Sequence, residues 1–245
     1  MFDFYFYITA IPAVMLFGIS KGGFAGPIAI LAVPLMSMTI SPIIAAGIML
    51  PILIIMDINA LYFYWNKWKL DIVKLIIPPS IIGIIIGSMT FSYISDDGVR
   101  VIIGSIALLF ILFTILQSGN FLIKPTKKKG IFWSTIAGYT SFLIHAGGPP
   151  LNFYLLPQKM HKTVYVSTFT LAFAIINSVK LIPYYFLGQL APSYMAISLI
   201  LLPLAPIGII IGYYLHKKVS EKIFYKFIYF FLGIGGLKLI YDGIF

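Results

Sequence analysis

Seven polar side chains lie inside stretches of the sequence that are otherwise almost entirely apolar. They are Lys21, Asp57, Asn59, His145, Asn152, Asn177 and Lys180. Charged and strongly polar groups are costly to place in a bilayer, so those found there tend to mark the path of a substrate or an ion. Lysine and amide groups can donate to an anion, while aspartate and histidine can accept a proton. The set therefore predicts anion binding or proton movement inside a membrane.

Two of these residues adjoin breaks rich in glycine and proline, which cannot continue a regular helix. A helix that begins inside the membrane presents unpaired N–H groups and a partial positive charge to whatever lies before it. Glycine also lets the backbone approach an anion closely. Brought together, the two breaks would form an anion cradle, and the alternative is close helix packing through small residues. The breaks read Ser20-Lys21-Gly22-Gly23-Phe24-Ala25-Gly26-Pro27 and His145-Ala146-Gly147-Gly148-Pro149-Pro150.

Lys21 lies within the first break, and His145 lies directly before the second. A cation at either place would help to hold an anion. Lys21 has the alternative of a hairpin tip near water, where carbonyl oxygens would satisfy its ammonium group. His145 has three alternatives, which are a proton relay, a donor to the substrate and a structural imidazole held by hydrogen bonds.

Asp57 and Lys180 lie in roughly corresponding apolar spans of the two halves. Because a lone charge in hydrocarbon costs at least ~2.5–3.5 kcal/mol, we expect them to pair, unless Asp57 is a proton acceptor that couples transport. Asn59 and Asn177 are expected to donate to an oxyanion or to join helices. Asp57 and Asn59 are thus the candidate coupling or ion-pair residues. The candidate substrate-binding residues are Lys21, Gly22, Gly23, Gly26, His145, Gly147, Gly148, Pro149, Asn152, Asn177 and Lys180.

The composition indicates a chain that lies almost entirely in a bilayer. Of its 245 residues 60% are hydrophobic and 10% are charged, whereas a soluble domain carries roughly 25% charged residues. The net charge of +10 comes from lysines in short loops, which indicates contact with lipid head groups rather than nucleic acid. The sequence has no cysteine, no nucleotide-binding glycine loop and no metal-binding spacing. We therefore expect neither an enzyme nor a bound cofactor or metal.

The apolar segments predict six full spans and two interrupted ones. The interrupted segments are Phe4–Ser37 and Ile131–Pro157, and the six spans are Ser41–Tyr64, Ile72–Ile94, Val99–Gln117, Thr163–Leu187, Ser193–Leu215 and Ile223–Tyr241. The chain also repeats itself at a spacing of about 120–125 residues. Gly83 and Gly87 recur as Gly208 and Gly212, which are typical of packing faces. Gly22-Gly23 is matched in the same way to Gly147-Gly148.

The lysines and arginines of the loops distinguish two topologies. If each interrupted segment crosses the membrane, these residues divide 8 against 7, which violates the positive-inside bias. If each dips in and returns, the division is 13 against 2. The second topology predicts an all-α polytopic protein with two inverted repeats, each a re-entrant segment plus three transmembrane helices. The first repeat spans residues 1–123, a basic cytoplasmic linker spans 124–130, and the second repeat spans 131–245. Both termini are then extracytoplasmic.

The order of these motifs over essentially the whole chain resembles the TauE/SafE family of sulfite and organosulfonate transporters. The resemblance rests on Gly22-Gly23-Phe24-Ala25-Gly26-Pro27, Val33-Pro34-Leu35, Ala146-Gly147-Gly148-Pro149-Pro150 and the tract from Asn177 to Gly188. It implies transport of small anions such as sulfite, sulfonates or sulfoacetate-like compounds across the cytoplasmic membrane of a prokaryote. Some members of the family are associated with export and others with uptake.

From these observations we expect a secondary transporter that exports a small oxyanion by alternating access. The partners are then the anion, the lipid bilayer and, for a coupled carrier, protons. An anion channel and a proton-coupled uptake carrier are the alternatives, and the sequence leaves a homo-oligomer open. A membrane potential that is negative inside drives anions outward, since one charge is worth ~2.3 kcal/mol per 100 mV.

Overall fold

The computed structural model describes residues 3–25, 29, 32–93, 95, 97–98, 101, 104–105, 108–109, 111–112 and 125–244. Within these ranges all regular secondary structure is helical. The helices labelled below are α1 (Phe4–Ile19), α2 (Ala32–Met36), α3 (Pro42–Phe63), α4 (Leu70–Thr90), α5 (Lys127–Ile144), α6 (Gly148–Leu155), α7 (Lys162–Phe186), α8 (Pro192–Leu201), α9 (Leu204–Lys218) and α10 (Glu221–Ile244).

Local sequence sets where the long helices begin. The Ser41 side chain accepts a hydrogen bond from the Ile43 N–H at 3.3 Å, and Pro42 is the first residue of α3. Thr126 accepts from the Lys129 N–H and thereby starts α5, while Asp3 accepts from the Phe6 N–H and starts α1. Such caps satisfy N–H groups that have no partner inside the helix.

Among the described residues, four helices are long and apolar enough to cross a membrane. They are α3, α4, α7 and α1 taken with the turn that follows it, and α8 with α9 would form a fifth span, bent by 45°. Four of the six predicted full spans correspond to α3, α4, α7 and the α8–α9 pair, and the predicted span Ile223–Tyr241 lies within the helix α10. The remaining one, Val99–Gln117, lies largely outside the described residues. The first interrupted segment begins with 21 helical residues, which at 1.5 Å per residue is already about the thickness of a hydrocarbon core.

Each interrupted segment has its break at a residue with left-handed backbone. After α1 the chain forms a π-helical turn, Ser20–Phe24, which ends at Ala25 with φ 52° and ψ 43°. Helix α5 ends at His145 with φ 57° and ψ 22°. A positive φ is unfavourable for any residue with a Cβ atom and requires support from its surroundings. Ala25 and His145 stand 120 residues apart.

The two glycine pairs lie on opposite sides of these left-handed residues. Gly22-Gly23 precedes the left-handed residue of its break, whereas Gly147-Gly148 follows the left-handed residue of the other. The positions 120 residues after Gly22-Gly23 are Phe142 and Leu143. The glycine pairs were matched on letters alone, and backbone conformation gives a different register.

After each break the chain folds back along the helix that it has just left. In the first segment the hydroxyls of Thr9 and Thr39 lie 3.1 Å apart, so the residues after α2 return to the level of the first turns of α1. In the second segment the ring of Tyr154, on α6, lies against Gly130 near the start of α5. The segment after each break therefore ends on the side of the bundle where the preceding helix, α1 or α5, begins.

Hydrogen bonds between the long helices define their directions. The hydroxyl of Tyr64, at the end of α3, donates to the carbonyl of Gly22 at 2.7 Å. Tyr184, near the end of α7, donates to the carbonyl of Phe142 at 2.7 Å. Each helix thus runs in the same direction as the broken helix before it. The Ser167 hydroxyl, in the second turn of α7, donates to the Tyr64 carbonyl at 2.8 Å. Helices α3 and α7 consequently run in opposite directions.

The recurring glycine motifs are packing faces, as predicted. On α4, a Cβ atom at Gly83 would overlap the carbonyl of Thr135 on α5, and one at Gly87 would lie 2.9 Å from the Phe142 ring. On α9, a Cβ atom at Gly212 would overlap the carbonyl of Ile19 on α1. The absence of side chains lets these helix backbones approach closely.

Several lysine-bearing loops meet at one end of the bundle. The Lys69 N–H donates to the Thr168 hydroxyl at 3.0 Å, which joins the loop after α3 to the start of α7. Lys162 donates to the carbonyl of His216 at 2.8 Å and to that of Val219, at the end of α9. Because these loops share one end, the described part of the chain concentrates positive charge there.

Candidate functional site

Lys21 and Asp57 form an ion pair inside the bundle. The π-helical turn Ser20–Phe24 places the Lys21 ammonium against Oδ1 of Asp57 on α3, and the carbonyl of Leu53 is a second acceptor at 3.3 Å. Lys21 is 4% exposed and Asp57 is 2% exposed. Paired in this way, the two charges offset each other where both side chains are almost fully buried.

Asn177 of α7 completes the hydrogen bonding of Asp57. Its amide nitrogen donates to Oδ2 at 2.7 Å, so each oxygen of the carboxylate has a donor. Asn177 stands 120 residues after Asp57. Since α3 and α7 run in opposite directions, the two side chains meet where the helices cross.

Lys180 is bound to the second break and not to Asp57. Its ammonium lies 2.9 Å from the carbonyl of Ser141, 3.2 Å from the Ser141 hydroxyl and 2.7 Å from Nδ1 of His145. The predicted pair between Asp57 and Lys180 is therefore wrong, because Lys21 occupies the carboxylate instead. The side chain of Lys180 is fully buried.

The protonation of His145 follows from its two neighbours. Nε2 lies 2.9 Å from the carbonyl of Ala46 on α3, and a carbonyl can only accept, so Nε2 carries the proton. Nδ1 is then unprotonated and accepts from Lys180. His145 is thus a neutral imidazole that links the second break to the first half of the chain.

The buried cluster contains two lysines and one carboxylate. Lys21 and Asp57 cancel, while the acceptors of Lys180 are a carbonyl, a hydroxyl and a neutral imidazole. Within the part of the chain that the structure describes, Lys180 has no carboxylate partner. A buried charge of this kind favours an anion beside it.

A small cavity lies between the two breaks. Its volume is about 20 Å³, measured as the space open to the centre of a water molecule, which is room for about one or two waters. Four polar side chains face it beside a wall of phenylalanines. The lining residues are Phe17, Lys21, Ala29, Leu53, Ser141, His145, Gly148, Phe169, Phe173 and Asn177.

The structure brings together part of the predicted site. Four of the predicted residues line the cavity, namely Lys21, His145, Gly148 and Asn177. Lys180 is not itself a lining residue but contacts Ser141 and His145, which are. Gly26 lies outside the described residues.

Other predicted site residues lie elsewhere. Cβ atoms at Gly22 and Gly23 would overlap the backbone of α9, and one at Gly147 would lie 2.5 Å from the Ala137 carbonyl of α5. These three glycines thus pack helices together. Asn59 donates to the carbonyl of Ile55 in its own helix at 2.8 Å.

The arm after the second break carries two further predicted residues. Pro149 is buried in α6, one residue after the cavity-lining Gly148. Asn152 accepts from the hydroxyl of Tyr165 at 2.6 Å. Proline has no N–H, so Pro149 and Pro150 remove two of the donors that the start of α6 would otherwise offer. The start of α6 therefore offers fewer N–H donors than the sequence suggested.

Sequence reasoning missed Ser141 and the three phenylalanines of the cavity wall. Ser141 stands 120 residues after Lys21, so an alignment of the halves at that spacing would have placed it opposite the first lysine. The phenylalanines carry no such signal, because the apolar spans contain many similar residues.

The comparisons with known proteins give one match. The sequence pattern of a family described as "Sulfite exporter TauE/SafE" matches residues 10–239 of the 245. No curated protein and no solved structure matches the chain.

Proposed function

The chain belongs to the sulfite exporter TauE/SafE family, and we propose that it is a secondary transporter that carries a small oxyanion, such as sulfite or a sulfonate, across the cytoplasmic membrane. The observation that carries this proposal is the uncompensated charge of Lys180 beside the cavity. Two opposite unit charges 4 Å apart attract by about 4 kcal/mol at the effective dielectric constant of a protein site. An oxyanion in an enlarged cavity would gain energy of this order.

The arrangement of the two halves supports inverted repeats and alternating access. Helices α3 and α7 run in opposite directions, and the bonds from Tyr64 to Gly22 and from Tyr184 to Phe142 repeat after 120 residues. Two halves with similar internal contacts and opposite orientation can exchange conformations, which opens a central site first to one side and then to the other.

The cavity favours a carrier over a channel. With room for about one or two waters, it is too small for an oxyanion of four or more heavy atoms, and phenylalanines form part of its wall. We interpret this conformation as a closed state between two open ones. A channel would need a continuous wide path in its conducting state.

The lysine-bearing loops support an orientation in the membrane. Because they share one end of the bundle, the positive-inside rule places that end in the cytoplasm. Helix α1 begins at the other end, and α10 begins at the lysine-bearing end and leads away from it, so both termini are extracytoplasmic. A membrane potential that is negative inside then drives export without a coupling ion, whereas uptake would use Asp57 as the proton acceptor.

The test is counterflow in proteoliposomes. Vesicles loaded with unlabelled sulfite and diluted into a trace of labelled sulfite should accumulate the label transiently above its outside concentration. A carrier gives this overshoot because its binding site returns loaded, and empty liposomes give the baseline. Sulfite flux without overshoot and without saturation would contradict a carrier and indicate a channel. No flux of sulfite, sulfonates or sulfate above that baseline would contradict the proposed function itself.

A further inference from the structure

We propose that Asp57 and Asn177 set the charge of the transport site at one positive unit, so that the protein selects singly charged oxyanions over doubly charged ones of the same shape. This inference rests on the proposed function and adds the charge of the transported species. It also makes Asp57 and Asn177 determinants of specificity, where the sequence had assigned Asp57 to coupling and Asn177 to binding.

The contacts of Lys180 fit a charged ammonium group. Its nitrogen lies beside the carbonyl and hydroxyl of Ser141 and Nδ1 of His145. An ammonium has three N–H donors, one for each of these atoms, whereas a neutral amine would need the Ser141 hydroxyl to donate to its lone pair. The proposal assigns the ammonium form to Lys180, which then contributes one positive charge to the site.

The other lysine contributes no net charge because Asp57 neutralises it. The carboxylate is bonded on both oxygens, by Lys21 on one side and by Asn177 on the other. Asn177 stands where a second carboxylate would fit, 120 residues after Asp57 and in direct contact with it. The site therefore holds two lysines and one carboxylate, and its sum is one positive charge.

The described residues around the cavity offer no partner for the second charge of a doubly charged anion. Phe17, Phe169 and Phe173 belong to the apolar part of the cavity wall, and Lys21 is already paired with Asp57. In a site with so little water, each unpaired charge of the substrate keeps most of its desolvation penalty. A singly charged anion is balanced by Lys180, whereas a doubly charged one leaves one charge unbalanced.

Two nearly isosteric substitutions move the site charge in opposite directions. Asp57→Asn raises it to two positive units, and Asn177→Asp lowers it to zero. The double variant Asp57→Asn/Asn177→Asp exchanges the two groups across their shared hydrogen bond and restores one positive unit. Asn66→Asp is the matched control, because it makes the same change at an exposed residue beyond the end of α3.

The experiment compares methanesulfonate with sulfate, whose shapes are similar and whose charges are fixed at one and two. Initial rates are measured in proteoliposomes at zero membrane potential for the wild type and the four variants. We expect the wild type to prefer methanesulfonate, and Asp57→Asn to shift the rate ratio toward sulfate on the order of tenfold or more. Asn177→Asp should shift the ratio the other way or lose transport of both anions. The double variant and Asn66→Asp should keep the ratio of the wild type.

The outcomes separate this inference from the proposed function. Transport of both anions with a ratio that is unchanged in Asp57→Asn would overturn the charge assignment and leave an oxyanion carrier in place. If the single variants do not fold, the inference is decided by the wild type and the double variant. A wild type that prefers sulfate, or a folded double variant that prefers it, would overturn the proposal.

Discussion

The ion pair of Lys21 and Asp57 shows how much at this site depends on single side chains. Both groups are buried, and the carboxylate is shared between Lys21 and Asn177. A buried pair adds little stability over an apolar pair of the same volume, yet removal of one partner leaves a charge without compensation. The pair therefore constrains which substitutions the protein tolerates.

This asymmetry gives a stability prediction. Lys21→Met should lower the free energy of unfolding by about 3–5 kcal/mol, because Asp57 then keeps only the amide of Asn177 as a partner. The double variant Lys21→Met/Asp57→Leu should lose clearly less. Unfolding in detergent, followed by circular dichroism, measures both. Equal losses in the single and the double variant would show that the pair is not coupled as the geometry indicates.

At the residue level the sequence predicted which polar groups are buried but not how they pair. Lys21, Asp57, His145, Asn177 and Lys180 are all buried, as their apolar surroundings suggested. Either Lys21 or Lys180 could pair with Asp57, and their charges alone do not indicate which of them does. The choice depends on the π-helical turn that carries Lys21, and local sequence gives no clear signal for that turn.

At the scale of the elements, glycines determine how the broken helices pack. Gly208 and Gly212 bring α9 against α1, while Gly83 and Gly87 bring α4 against α5. Each broken helix thus rests on a full helix from the other half of the chain. The site at the ends of the broken helices is positioned by these contacts, to which the Ser80 hydroxyl adds a hydrogen bond to the carbonyl of Ser134.

A substitution in one glycine motif tests this packing. Gly212→Ala places a Cβ atom on the carbonyl of Ile19, so the helices must separate, and we expect a loss of about 1–3 kcal/mol in the free energy of unfolding. Gly233→Ala on α10 is the control, since among the described residues its Cβ atom would meet the flexible end of the Ile111 side chain at 3.3 Å. Similar melting temperatures for the two variants would contradict close packing at Gly212.

Element boundaries were predictable from the sequence to within a few residues for the long spans. Ser41–Tyr64 and Thr163–Leu187 correspond to α3 and α7 almost residue for residue, because caps and apolar length both act locally. The register between the two halves could not be predicted in this way. The glycine pairs recur at a spacing of 125 residues, whereas the two residues with left-handed backbone lie 120 residues apart. Backbone conformation depends on packing between segments far apart in the chain.

For the whole molecule, two features of the described structure support the proposed carrier. A buried cluster of two lysines and one carboxylate lies beside a small cavity. Around it, helices α3 and α7 run in opposite directions and carry Asp57 and Asn177 to one contact. The family and the apolar helices make the chain a membrane transporter, and we propose the cluster as the place where the anion binds.

We propose that the charge of Lys180 balances that of the transported anion, and sulfite flux in proteoliposomes tests this most directly. Lys180→Met should reduce the initial rate at least tenfold, since the site then has no net charge to balance the anion. Lys128→Met, at an exposed residue near the start of α5, is the matched control and should transport like the wild type. Folding of both variants is checked by size-exclusion chromatography. A folded Lys180→Met protein that transports sulfite at the rate of the wild type would contradict the account.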